Sequence, residues 1–349
     1  MKEERYGIVY LGSKEKILHL IDYILHREHN KHYFIDLFAG GLSVSAYALK
    51  NSKMRVIAND LNPYVIAFYK ELMSGGKEFE KFRYDWIDRK LFEDVKKYPE
   101  FYDKWYVGYV LNMWSFGCNQ KDYLYARDLE ENKKALHQAI VFKDYDLLNS
   151  LPLFDGFYEK YIKNTLFEQV DYKKNKNARI LFMEKLHKYT NDNLANTKKY
   201  EELRRLDMVV NLNLTEKVDA IYELIPMDTR IMFYNEDWKV MYNQIPKDIL
   251  EQSVIYCDPP YQDAKEYQFG KGFDYFGFWQ WFRSCPYPVY VSSYQAPEDI
   301  KPLNFEPKIQ LLDNGHRGDN KPKKTVNENI YWNGKGEGSK TLLDMLFGK

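Results

Sequence analysis

The stretch VIYCDPPYQD, residues 254–263, puts an acid and a flat ring on a rigid backbone. Val254, Ile255 and Tyr256 favour an extended strand. Pro259 and Pro260 carry no N–H and cannot continue a ladder. A buried strand therefore ends abruptly and presents Asp258 and Tyr261. A carboxylate held this way accepts hydrogen bonds, and a ring stacks on a planar group. Taken alone, Asp-Pro-Pro reads equally as a rigid turn. A second constellation lies upstream. Asp36 closes the run YFID, Gly40 and Gly41 follow, and Asp60 closes the next apolar run, RVIAND. Glycines let backbone approach a ligand closely, and the next helix start offers N–H donors. An acid about 20 residues past a strand–glycine–helix turn can accept from ribose hydroxyls, so the pattern points to an adenosine-bearing cofactor. The phosphate-cradling G-x-x-x-x-G-K-[ST] and the dinucleotide fingerprint G-x-G-x-x-G are both absent.

These residues need elements to hold them. YGIVYLGSKEKILHLIDYIL, HYFIDLFAGGLSVSAYALK and MRVIANDLNPYVIAFYKELM each read as strand, turn, helix. Such alternation predicts a parallel sheet covered by helices. The rhythm stops at residue 74, where Lys, Tyr, Asn and Leu dominate and the patterns turn helical. It returns at VIYCDPPY, the helical GFWQWFRS and the strand YPVYVSSY. The simplest architecture is one doubly wound, Rossmann-like α/β domain made of residues 1–73 and 231–335. A mostly helical insertion, 74–230, interrupts it, and 336–349 form a tail.

Composition narrows the class. The chain has 349 residues, 45% of them hydrophobic and 17% aromatic, which excludes a disordered polymer. Basic and acidic residues balance at 51 each, so a wholly basic nucleic-acid coat is excluded while a local basic face remains open. Cys118, Cys257 and Cys285 lack metal-type spacing, so no zinc site is expected and a reduced, cytoplasmic setting is. No signal peptide or membrane-length apolar run is read. His137, His187 and His316 have no partner pattern and receive no role.

The ordered segments together resemble the Dam-like DNA adenine-N6 methyltransferases, phage-type members above all. DPPY at 258–261 is similar to that family's catalytic motif. DLFAGGLSVS at 36–45 is similar to its S-adenosylmethionine (AdoMet) motif, around Phe38 and Gly40. NDLNP at 59–63 resembles its ribose-binding acidic segment, and YLGSKEKIL at 10–18 its N-terminal cofactor segment, with Tyr10, Gly12 and Lys14. NEDWKVM at 235–241 resembles its Asp-aromatic segment. The similarity covers roughly 1–75 and 230–335. It implies Asp258, Pro259, Pro260 and Tyr261 as catalytic residues. It implies Tyr10, Lys14, Asp36, Phe38, Gly40, Asp60, Asp237 and Trp238 as the AdoMet-binding set, with Lys14 toward the cofactor carboxylate and Asp237 with Trp238 toward its adenine. Core roles for Asp237 and Trp238, as a helix cap and a buried ring, stand beside that. Two departures are plain. Leu42 stands where the common F-x-G-x-G motif has its last Gly, which implies a retained pocket with altered backbone packing. The R-x-N-x-x-G-x-F-N segment of GATC-reading members is missing, with WSFGCNQKDYLY roughly in its place.

The implied chemistry accounts for the opening stretch. The exocyclic nitrogen of adenine is a poor nucleophile because its lone pair is delocalised. Asp258 and the Pro259 carbonyl would each accept one of its protons and aim the lone pair at the methylsulfonium. The prolines fix both acceptors in advance, so no reorganisation is needed. Tyr261 would stack on the extracted base, worth ~1–3 kcal/mol. The partner is double-stranded DNA; no membrane, metal or obligate protein partner is implied. Residues 160–205 carry 12 Lys/Arg against 6 Asp/Glu, a solvated face or a phosphate-contacting one. Asn119, Gln120 and Lys121 are the candidates for reading base edges. Cytosine N4 or RNA adenine as target, and a catalytically silent binder, are the alternatives. Restriction protection and phage self-marking are equally open as roles.

Overall fold

The computed structural model describes residues 14, 17–175, 177–194, 230–260, 272–303, 310–312 and 325–336. Tyr10 and Tyr261 fall outside them. Among the described residues no helix is long and apolar enough to cross a membrane.

Six strands form one sheet: β1 (Tyr33–Asp36), β2 (Arg55–Asn59), β3 (Ile231–Tyr234), β4 (Ser253–Cys257), β5 (Val289–Ser293) and β8 (Asn329–Trp332), in the spatial order β3-β2-β1-β4-β5-β8. A separate two-stranded ribbon pairs β6 (Gln310–Leu312) with β7 (Thr325–Asn327). The first five sheet strands run parallel, and β8 runs antiparallel to β5. The chain winds outward from β1 through β2 to β3, then restarts at β4 on the other side of β1. A crevice opens at such a reversal, beyond the carboxyl ends of the strands. The strands are short apolar runs, not alternating ones, because helices cover the sheet. All of β4 and β5 is buried. This is the Rossmann-like α/β sheet expected from the strand–turn–helix rhythm.

Three helices place the upstream motifs. α1 (Leu18–Arg27) buries Leu20, Ile21 and Ile24. α2 (Ser43–Asn51) follows the Gly turn. α3 (Pro63–Met73) starts with Pro63 in its first turn, and Asn62 accepts from the Tyr64 and Val65 N–H groups as its N-cap. The helix Lys104–Met113 places Gly108 against the Tyr64 carbonyl of α3, where a Cβ would collide with backbone. That close approach requires glycine. The core beside the site gathers Ile35, Leu37, Ile57, Ile255, Cys257, Val289 and Val291 with Trp238, Phe278 and Phe282.

The chain divides into two compact units. The first comprises 1–76, 103–109 and 217–349; the second comprises 77–102 and 110–216. The second is helical around an aromatic core of its own, including Phe154, Phe157, Phe167, Tyr172 and Phe182. His137 is a satisfied core residue there: its Nε2 lies 2.7 Å from the Tyr84 carbonyl, and burial lowers its pKa to about 4.

Leu42 takes φ 63° and ψ 6°, the left-handed region a glycine would occupy, and it is fully buried. The backbone of the glycine-containing motif is kept, and a leucine pays its steric cost of roughly 1–2 kcal/mol. Burial of an isobutyl group, about 1.5–3 kcal/mol, offsets it. Leu42→Gly therefore destabilises by about 1–2 kcal/mol, less than the 2–5 kcal/mol typical of truncating a buried leucine. Denaturant unfolding measures it, and a loss of 4 kcal/mol or more would show that no strain was stored there.

Candidate active site

Asp36, Asp60 and Asp258 come at or just past the carboxyl ends of β1, β2 and β4, neighbours in the sheet. Asp36 is almost wholly buried. Its Oδ2 accepts from Ser45 Oγ of α2 at 2.7 Å, and its Oδ1 from the Phe38 N–H at 3.3 Å. Asp60 accepts from the Gly40 N–H at 2.8 Å and from the Asn62 N–H at 2.8 Å. Its carboxylate thus holds the Gly turn in shape. Tyr69 donates to the Gly40 carbonyl at 3.1 Å. Gly40 itself has φ 42°, which suits glycine.

Burial raises the pKa of Asp36 to about 7, with the Asp258 and Asp60 carboxylates adding to the rise against its two hydrogen bonds. Burial is likewise the main cause of the upward shift at Asp60. Asp36 binds its proton more tightly folded than unfolded, so between about pH 4 and pH 7 folding takes up a proton. Stability then falls as pH rises through that window and levels off above it. Asp36→Asn should flatten this slope, as denaturant titrations at pH 4.5, 6 and 7.5 would read. An unchanged slope would place the titration elsewhere.

Asp258 is held at both oxygens. Lys14 Nζ lies 2.7 Å from its Oδ2, and Ser292 Oγ donates to its Oδ1 at 3.0 Å. Ser292 in turn accepts from the buried Tyr256 hydroxyl at 2.8 Å. Lys14 also reaches Glu328 Oε1 at 3.1 Å, with Glu328 and Lys14 both deeply buried. Its ammonium is held well above the usual lysine range: desolvation pulls the pKa down, and the two carboxylates more than reverse that. Where the sequence expectation aimed Lys14 at the cofactor carboxylate, its ammonium here bridges two acids of the chain. Pro259 is buried and Pro260 partly so.

Asp237 is exposed and caps the helix Trp238–Gln244 through the Lys239 N–H at 2.8 Å. Trp238 is a buried ring, 5.2 Å from Phe278, 4.9 Å from Trp281 and 6.4 Å from the partly buried Phe38. Three residues that sequence reasoning passed over matter as much. Asn59 donates to the Leu37 and Glu236 carbonyls and accepts from the Glu236 N–H, stitching the turn after β1 to the loop after β3. Ser292 and Glu328 complete the surroundings of Asp258. The signal was a polar residue at the edge of an apolar run, at its end in AND and VSS and just ahead of it in NENIYW.

Residues 10–222 match the sequence model of the D12 class N6 adenine-specific DNA methyltransferases. The chain belongs to this family. It is therefore an adenine-specific DNA methyltransferase. The matched span takes in Lys14, Asp36, Phe38, Gly40 and Asp60 and ends before β3; Asp237, Trp238 and Asp258 lie beyond it. Among curated proteins, none matches the chain.

The second unit of this methyltransferase corrects one expectation. Gln120 is 5% exposed, and its Nε2 donates to Asn112 Oδ1 at 2.7 Å. Asn119 bonds Asp122 through Nδ2 and accepts from the Lys121 and Asp122 N–H groups. Gln120 is spent on Asn112 of the helix Lys104–Met113 and most of Asn119 on the loop itself, so neither is presented to a base, while Lys121 is exposed. The loop instead bends through positive φ at Gly117, Cys118 and Gln120 and exposes the Phe116 ring. Of the basic run, Lys173 lies over the Phe142 ring and Lys174 is highly exposed; Lys176 lies outside the described residues.

Proposed function

We propose that this methyltransferase uses AdoMet as donor and acts on an adenine flipped out of double-stranded DNA. The observation that carries the reading is Asp258 at the end of β4, its carboxylate fixed by Lys14 and Ser292, beside the Gly40 turn and two further buried acids. The residues fit the cofactor electrostatically. Burial raises the Asp36 pKa to about 7, and the nearby Asp258 and Asp60 carboxylates add to the rise. Such an excess of negative charge suits a ligand that carries a positive one. When bound, AdoMet supplies a methyl group on a cationic sulfonium. Asp36, Phe38, Gly40 and Asp60 would hold it, with Tyr10, Lys14, Asp237 and Trp238 completing the set.

Asp258 and the Pro259 carbonyl accept the two protons of the adenine amino group and direct its lone pair outward. As the nitrogen took the methyl group, the surplus amino proton would leave to solvent through Asp258. Flipping costs a few kcal/mol, and stacking on Tyr261 would offset much of it. The second unit, built from residues inside the 74–230 insertion, would read the target, with exposed lysines such as Lys174 on phosphates. Neutralising Lys174 together with Lys188, an exposed residue of the helix Asn177–Leu194 in the same basic run, should weaken binding to all sequences alike and lower the salt slope by roughly one unit per contact, with the methylated motif unchanged. Modified-base sequencing of DNA from expressing cells tests the whole reading: methylated adenine at a defined site is expected, and its absence would overturn it.

A further inference from the structure

Glu328 has no part in the chemistry just described, yet its carboxylate is 3% exposed and sits on the same ammonium as Asp258. It reaches the site because β8 is antiparallel. Only a strand of reversed direction starts where the parallel strands end, and Glu328 is the residue just before β8, whose Asn329 pairs with Ser293 of β5. Lys14 Nζ lies 2.7 Å from Asp258 and 3.1 Å from Glu328. The two acids therefore face each other across one shared cation.

Asp258 can serve the target amine only to the extent that its lone pairs are not committed to that cation. One oxygen takes the Ser292 hydroxyl and the other takes Lys14. A second carboxylate on Lys14 weakens the hold and gives the ammonium somewhere to go when the amine arrives. We propose that Glu328 is a positioning residue for methyl transfer, drawing Lys14 away from Asp258 so that Asp258 can accept the amino proton of the target adenine. This rests on the role of Asp258 set out above. The other titratable groups acting on Asp258 or acted on by it are Asp36, Asp60, Tyr256 and Cys257. Of these, Tyr256 also feels the Glu328 charge, so the change at Glu328 reaches it as well as Lys14.

Glu328→Gln keeps the shape and an acceptor for Lys14 while removing the charge. Lys14 then commits to Asp258. Methyl transfer from tritiated AdoMet to adenine-unmethylated genomic DNA should show kcat reduced about 10-fold to 100-fold, in line with other losses of alignment. AdoMet affinity by calorimetry should stay within about twofold, and Glu328→Asp, which restores the charge, should recover part of kcat. A wild-type rate in Glu328→Gln would overturn the proposal. So would a reduced rate that Glu328→Asp does not recover, which marks packing instead. If the wild-type chain itself transfers no methyl group, the Asp258 reading fails first and takes this inference with it.

Discussion

Asp258→Ala should lose methyl transfer by more than a hundredfold and still bind AdoMet within about tenfold of wild type. The proposed partner of the carboxylate is the target amine, so its loss falls on the transition state, where removal of one aligned group typically costs 10²-fold or more. The variant should also fold. Lys14 keeps Glu328 at 3.1 Å and is not left as an uncompensated buried cation. Ser292 keeps the Tyr256 hydroxyl as a donor at 2.8 Å. A transfer assay and calorimetry on one preparation decide the matter. Residual activity above about one hundredth of wild type would remove Asp258 from its role, and a collapse of cofactor affinity would make it a binding residue.

Lys14→Met removes the cation and keeps the bulk. Asp258 and Glu328 then face each other with nothing between them. Breaking a buried pair by deleting one partner costs about 3–5 kcal/mol, and Asp258 at 20% exposed puts this site at the lower end. Adding Glu328→Gln, which removes one of the two facing charges, should return part of the stability, as denaturant midpoints would read. A deficit unchanged in the double variant would instead mean that the lysine stem, not its charge, was missed.

The sheet and its site were legible in unequal measure. Apolar runs ending in Asp36, Asp60 and Asp258 announced strands and their carboxyl ends, because parallel strands are buried on both faces and read as continuous hydrophobic stretches. The Gly40 turn was legible because few backbones need consecutive glycines. What Asp60 does with its oxygens was not. Its bonds to the Gly40 and Asn62 N–H groups depend on how the turn folds back, which no spacing encodes. Lys14 and Glu328 lie far apart in sequence and meet only through the sheet order. In the same way Gln120 reads as a base-reading side chain on a polar loop, and only the fold shows Asn112 claiming it. Leu42 is instructive in the other direction. The left-handed backbone persists without glycine because the burial of a leucine offsets the strain.

The strand order also bears on how the chain is made. His32 and Gln252, at the starts of the central pair β1 and β4, are separated by 220 positions in the sequence and bonded at 2.7 Å in the fold. A ribosome adding 5–20 residues each second needs about 10–40 s to bring the second strand out after the first. During that time β1 can pair with β2 on one side, while its other edge stays open to whatever strand comes by. The intervening helical unit has its own core and can fold while the edge waits. Synthesis therefore passes through an obligatory half-sheet. Arrest of translation before residue 253 should yield a species that chaperones hold or that aggregates, and the Glu328 side of the Lys14–Asp258 cluster cannot assemble until the last strand, β8, has left the tunnel.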